Sequence, residues 1–168
     1  MRVYLPATSS MLRRLHESGV LGPQPLTAFA VTPALREYYL DDDIEELEYA
    51  ASADAARTSL RLIDADPAAA KRRIVIAADA PDSVVAIRDD LDRGVVQIAA
   101  EVPIGWCASV HADDDEAEDT VAAAAGVIDQ ADLGDPEAAE LVDDTEGFGL
   151  LWYATQEIPD LLDEMKGR

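Results

Sequence analysis

Two short stretches of this chain gather the side-chain types that bind or transform small molecules. GLLWYATQEIPDLL (149–162) sets Trp152 and Tyr153 beside Gln156 and Glu157, and ALREYYL (34–40) sets Arg36 beside Tyr38 and Tyr39. Brought to one pocket, Glu157 is the candidate acid or base, Arg36 an anion clamp and the tyrosines hydrogen-bond donors. The competing role is structural, because buried Tyr and Trp normally find polar partners while packing. These seven residues form the candidate ligand-binding set, and no catalytic residue is nominated.

Other constellations fall short of chemistry. Cys107 and His111 share a face of the strand-like CASVHADD but stand about 13 Å apart along it, beyond the reach of a nucleophile and its base. His111 precedes six acids between 113 and 119. They lack the glycine and the distal glutamate of a calcium loop, and acids are favoured at a helix N-terminus. DDDIEE (41–46) reads the same way. His16 reads as a solvated residue of the first helix. Glycine-rich phosphate loops, G-x-S-x-G elbows and H-E-x-x-H helices are absent from the sequence. Neither metal nor cofactor is implied.

The elements that must position these groups follow from periodicity and punctuation. RVYLPAT (2–8) reads as a short strand ended, or confined to an edge, by Pro6. Thr8, Ser9 or Ser10 then caps the helix MLRRLHES, with Gly19 as its stop. After the loop LGPQP, LTAFAVTP (26–33) is a second strand. A short helix spans Ala34–Leu40. Asp43 and Glu46 have capping-box spacing ahead of a long helix with Ile44, Leu47, Ala51, Ala55, Thr58 and Leu62 on one stripe. KRRIVIAADAP holds a β-branched strand, and DSVVAIRDDLDRG is an added strand or an irregular excursion. VVQIAAEVP and CASVHADD are further strands. An alanine-rich helix runs to Ile128, with Asp115 and Glu118 at capping-box spacing, and Asp135-Pro136 opens a short helix to Val142.

Residues 149–162 admit two patterns. A helix would align Leu151, Ala154, Ile158, Leu161 and Met165 but enclose Pro159, at a cost of about 3 kcal/mol. A strand through about Ile158, followed by a helix with Pro159 in its first turn, is preferred. The expected fold is α/β or α+β: one domain over 1–168, a mixed β-sheet of about five or six strands with helices packed on it.

Composition narrows the function classes. The 168 residues are 49% hydrophobic but only 5% aromatic, so the core is aliphatic. The formal charge is −22. Residues 1–40 hold four Arg against two Glu, whereas 101–168 hold 19 acids against Lys166 and Arg168. Such a surface repels nucleic acid and anionic membranes, and attracts a basic protein partner. Solubility or salt adaptation alone would also account for it. No apolar run approaches the roughly 20 residues of a membrane span, and the N-terminus lacks a signal h-region. The lone Cys107 forms no internal disulfide. A cytoplasmic protein is expected.

Taken together, RVYLPAT, LTAFAVTPALREYY, EELEYAA, ARTSLRL, ASVHADD and LLWYATQEIPDLL resemble a family of short actinobacterial proteins known only as a domain of unknown function. That resemblance implies a stand-alone bacterial cytoplasmic protein with a GC-rich coding bias, in line with the excess of Ala and Asp. It carries no activity, ligand or site residue with it. The leading expectation is therefore a non-catalytic acidic interaction or regulatory protein, with a basic protein or a second copy of itself (a homodimer) as partner. The alternatives are a small-molecule-binding protein or small enzyme at the Tyr/Trp/Gln/Glu cluster, and a nucleic-acid mimic.

Overall fold

The computed structural model describes residues 1–39 and 43–166. Its chain order is β1 (Arg2–Ala7), α1 (Ser9–Ser18), β2 (Val20–Leu21), β3 (Leu26–Phe29), α2 (Pro33–Tyr39), α3 (Ile44–Ala65), β4 (Ile74–Asp79), β5 (Val85–Ile87), β6 (Val95–Ile98), β7 (Val102–Pro103), β8 (Cys107–Ala112), α4 (Glu118–Ala125), α5 (Ile128–Asp132), α6 (Pro136–Asp143), β9 (Leu151–Tyr153) and α7 (Ile158–Met165). Leu40, Asp41 and Asp42, which the sequence placed at the end of α2 and in the acidic run, lie outside the described residues.

Local signals explain most helix boundaries. Thr8 caps α1 by accepting the Met11 N–H, and Gly19 ends it at φ 80°, donating its own N–H to the Leu15 carbonyl. That left-handed turn is nearly free for glycine alone. Asp43 caps α3 by accepting the Glu45 N–H, and Asp135 caps α6 with Pro136 at its first position. Along α3 the buried stripe is Leu47, Ala51, Ala55, Ser59 and Ile63, joined by Ala56 and Leu60. Ile44 is exposed, while Thr58 and Leu62 are only half-buried, because the stripe advances by steps of four where the sequence suggested three and four.

The fold is α+β. Seven strands form one sheet in the order β5-β6-β3-β1-β4-β8-β9, and β2 pairs with β7 in a second, two-stranded sheet. Every pairing is antiparallel, so the large sheet is wider than the sequence suggested and is not mixed. DSVVAI supplies the edge strand β5, and the segment read as a loop, LGPQP, begins with Leu21 of β2. β1 lies inside the sheet despite Pro6. Its register with β4 runs from Arg2↔Asp79 through Pro6↔Val75 to Ala7↔Ile74, whereas β3 meets it at Tyr4↔Phe29. The missing proline donor is therefore not demanded from the β3 side.

Alternation divides the sheet between two cores. Val3, Leu5, Ile74, Ile76 and Val110 face α1 and α7. Tyr4, Phe29, Val75, Ala77 and Val95 face α2 and α3, where alanines at 51, 55 and 56 let α3 lie close on the strands. A third cluster, with Leu60, Ile63, Val121, Ala124, Ile128 and Val142, packs the distal half of α3 against α4, α5 and α6.

Candidate functional site

Strand register assembles a polar row on the sheet face beneath α3. Tyr4 lies opposite Ala77, and Ala77 opposite Ser109; one step along, Pro6, Val75, His111 and Trp152 stand side by side. The Ser109 hydroxyl and His111 Nε2 are 2.9 Å apart. The Tyr4 hydroxyl donates to Glu48 Oε2 at 2.8 Å. Burial and the adjacent Glu48 carboxylate push the Tyr4 phenol above its ordinary value, so it stays a neutral donor. Burial, then the Arg2 charge, holds His111 below its ordinary value.

Above this row opens a cleft of about 750 Å³. One wall is α3, through Glu45, Glu48, Tyr49 and Ser52; the other is the 145–150 segment, through Thr145, Glu146, Phe148 and Leu150. Arg73 holds that second wall. Its Nη2 donates to the Thr145 and Phe148 carbonyls at 3.1 Å each, while Asp113 takes its Nε and Nη2. Arg57, the other cationic group of the lining, pairs with Asp132 of α5 at 3.0 Å. Glu45 and Glu146 meet no cation within ion-pair distance among the described residues. The cleft therefore carries an excess of negative charge.

The seven candidate residues of the sequence are not brought to one place. Arg36, Tyr38 and Tyr39 are exposed on α2. The two tyrosine rings meet edge to face at 5.0 Å, and the cation over Tyr38 is Arg93, 3.6 Å from the ring centre. Trp152 and Tyr153 lie on β9, at the far edge. Between β3, which leads into α2, and β9 stand β1, β4 and β8, or four spacings of about 4.8 Å, about 19 Å in all. No shared pocket spans that distance. Tyr153 turns to the α1/α7 side, partly buried, with burial raising its phenol above the ordinary value. Gln156 is exposed, and Glu157 is occupied as a cap, its Oε2 accepting the Ala154 N–H at 2.8 Å. β9 ends at Tyr153, a one-turn 3-10 helix covers Thr155–Glu157, and Pro159 enters the first turn of α7.

Cys107 and His111 also part company. Cys107 pairs with Ala78 and Ser109 with Ala77, leaving Ala108 as a bulge. One extra residue flips the alternation, so Cys107 joins the α1/α7 core while Ser109 and His111 share the opposite sheet face, where His111 lines the cleft. Ser109 itself is 6% exposed and does not present its oxygen to the cleft. The Asp113 end of the acidic run is buried against Arg73, and Asp114 caps the turn that follows. Among the described residues, no group of three or more His, Cys, Asp or Glu is disposed to hold a metal. Likewise no described helix is long and apolar enough to cross a membrane.

Tyr4, Glu48, Arg73 and Glu146, which shape the cleft, were not singled out by sequence. Tyr4 sits in a strand pattern that hides its face until β4 and β8 are placed. Arg73 reads only as one of three cations before β4.

Fold and cleft together define an α+β protein with an acid-lined groove on one face of a seven-stranded antiparallel sheet. Over residues 1–162 the chain matches the family described as Family of unknown function (DUF6912), and it belongs to that family. No curated protein and no solved structure is found to match it.

Proposed function

We propose that this chain is a non-catalytic acidic binding protein whose cleft takes a cationic partner, a Lys- or Arg-bearing segment of another protein. One observation carries the reading. The cleft's own cations, Arg57 and Arg73, are each committed to a carboxylate outside the lining, whereas Glu45 and Glu146 face the opening without one. A guanidinium or ammonium group entering there meets uncompensated negative charge in a partly desolvated groove, and the remaining acids steer its approach. The overall charge of −22 adds to that steering and opposes nucleic acid, anionic lipid and, at close range, a second copy of the chain. A cytoplasmic setting in an actinobacterium is part of this proposal, supported by the single cysteine, the Ala and Asp bias and the motif resemblance.

The test is localised binding. A capped oligolysine peptide titrated into isotopically labelled protein is expected to move the amides of 45–57 and 145–150, with affinity falling as salt rises. The pair Glu45→Gln and Glu146→Gln should weaken it, while Asp160→Asn with Asp163→Asn, equal in charge but remote on α7, should not. Shifts spread evenly over the acidic surface, or equal losses in both double variants, would refute the cleft as the docking site.

A further inference from the structure

One open edge of the large sheet adjoins the cleft. β9 is that edge, and residues 147–156 around it carry no charged side chain, in a chain of which 29% is charged. Leu151 is 44% exposed and Trp152 63%. Edge strands offer a row of unpaired backbone N–H and C=O groups, and proteins commonly guard them with charge, proline or a bulge. Leu151, Trp152 and Tyr153 include no charge, proline or bulge, and the shortness of β9, three residues, is the one guard this edge shows. Trp152 is the cross-strand neighbour of His111, which lines the cleft, and Gly149 and Leu150, immediately before β9, line it too. Edge and cleft are one continuous surface.

From this we infer that the cationic partner binds as an extended segment added as an eighth strand along β9, with basic residues at alternate positions. The inference rests on the cleft reading and supplies its binding mode. In an added strand, alternate side chains project to the same face about 6.6 Å apart. Those on the cleft face pass the exposed Trp152 ring, where a Lys or Arg gains a cation–π contact, and continue toward Glu146. The intervening side chains fall on the opposite face beside exposed Leu151 and need only be small or apolar. Charge complementarity chooses this occupant over a second copy, since β9 of another chain brings no cation and a further −22.

Two capped peptides of identical composition serve as probes, one alternating Lys with Thr and one with all Lys preceding all Thr. The full chain is expected to bind the alternating peptide about tenfold more tightly, with those amides of 151–153 that face away from β8 becoming protected from hydrogen exchange. N-methylation of every second amide gives two further peptides. Only one set of amides faces β9, so one methylated peptide should lose about tenfold or more and the other should bind as before. Trp152→Ala, an exposed position that leaves the fold intact, should weaken the alternating peptide about three- to thirtyfold. Strand addition is overturned, and the cleft reading kept, if cleft amides respond while the amides of 151–153 facing away from β8 gain no protection and both methylated peptides bind equally. If no basic peptide moves the cleft amides, both readings fall. Protection of the amides of 151–153 that face away from β8, in peptide-free protein that sediments as a dimer, would assign the edge to a second copy and overturn the inference.

Discussion

The Arg73 guanidinium grips the fully buried Asp113 carboxylate at two points, Nε to Oδ2 at 2.8 Å and Nη2 to Oδ1 at 2.7 Å. The backbone repeats the pairing: the Arg73 N–H donates to Oδ2 at 2.7 Å, and the Asp113 N–H donates to the Arg73 carbonyl. With two further donations to the Thr145 and Phe148 carbonyls, the pair ties the start of β4, the end of β8 and one cleft wall together. Charges removed from water this completely persist only where nearly every polar atom finds a partner.

Removing one member should therefore be severe. Asp113→Asn is expected to destabilise the fold by about 3–5 kcal/mol, because it leaves a buried guanidinium without its counter-charge. The apolar pair Arg73→Met with Asp113→Leu should cost much less in urea unfolding than the sum of the two single changes. Its mark should be faster hydrogen exchange at 145–150, since those carbonyls lose their donor. A double-variant loss equal to the sum of the two single losses would contradict the coupling.

Ser59 bridges the ends of two central strands. Its hydroxyl donates to the Ala7 carbonyl at 2.7 Å and accepts the Ile74 N–H at 3.2 Å, with the side chain fully buried. Ser59→Ala should cost about 1–3 kcal/mol by removing the buried hydroxyl that serves both backbone groups, read as a lower urea midpoint with an unchanged slope. Its neighbour Thr58 supplies the control. That hydroxyl donates to the Asp54 carbonyl at 3.0 Å and accepts a long 3.5 Å contact from Arg61, both within α3. Thr58→Ala bridges nothing between elements and should be nearly neutral. Equal losses at the two positions would show that the strand bridge adds nothing.

What the sequence disclosed divides along the range of the interaction. Thr8, Gly19, Asp43 and Asp135-Pro136 announce helix ends because a cap is made within four residues of chain. The β-branched run of β4 and the placement of Pro159 in the first turn of α7 were legible for the same reason. Pro6 misled because its tolerance depends on where β3 leaves β1, and Cys107 because the bulge at Ala108 appears only against β4. The candidate site suffered most. Tyr38 and Trp152 look like partners when aromatic residues are compared by type alone, but strand order puts β1, β4 and β8 between their elements. The cleft that does form draws Tyr4, Glu48, His111 and Glu146 from four separate parts of the chain.

Cys107 should behave as an inert thiol. Burial alone pushes it up to about 11, and the bulge has turned it away from His111 toward the α1/α7 core. At pH 8 its reaction with a disulfide reagent is expected to run roughly a hundredfold slower in the folded chain than in urea, where the thiol regains its ordinary value. A folded-state rate close to the unfolded one would show that the thiol is more open and more acidic than its packing implies.

His111 gives the fold a defined response to acid. Its folded value is depressed, chiefly by burial and next by the Arg2 charge, so the unfolded chain takes up the proton first. Stability from the neutral ring is complete above the unfolded value of about 6.5 and is lost as pH falls from there toward the folded value. Between pH 7.5 and 5, wild type should lose more stability than His111→Gln in urea titrations, with the other acids contributing equally to both. The ring protons should titrate with a midpoint below about 6.5 by NMR. Cleft occupancy sharpens the expectation, because a bound cation beside Trp152 adds like charge near the ring and should lower that midpoint further. Parallel stability curves for the two proteins would mean that protonating His111 costs the fold nothing, and that the ring can turn its charge to water at the cleft mouth.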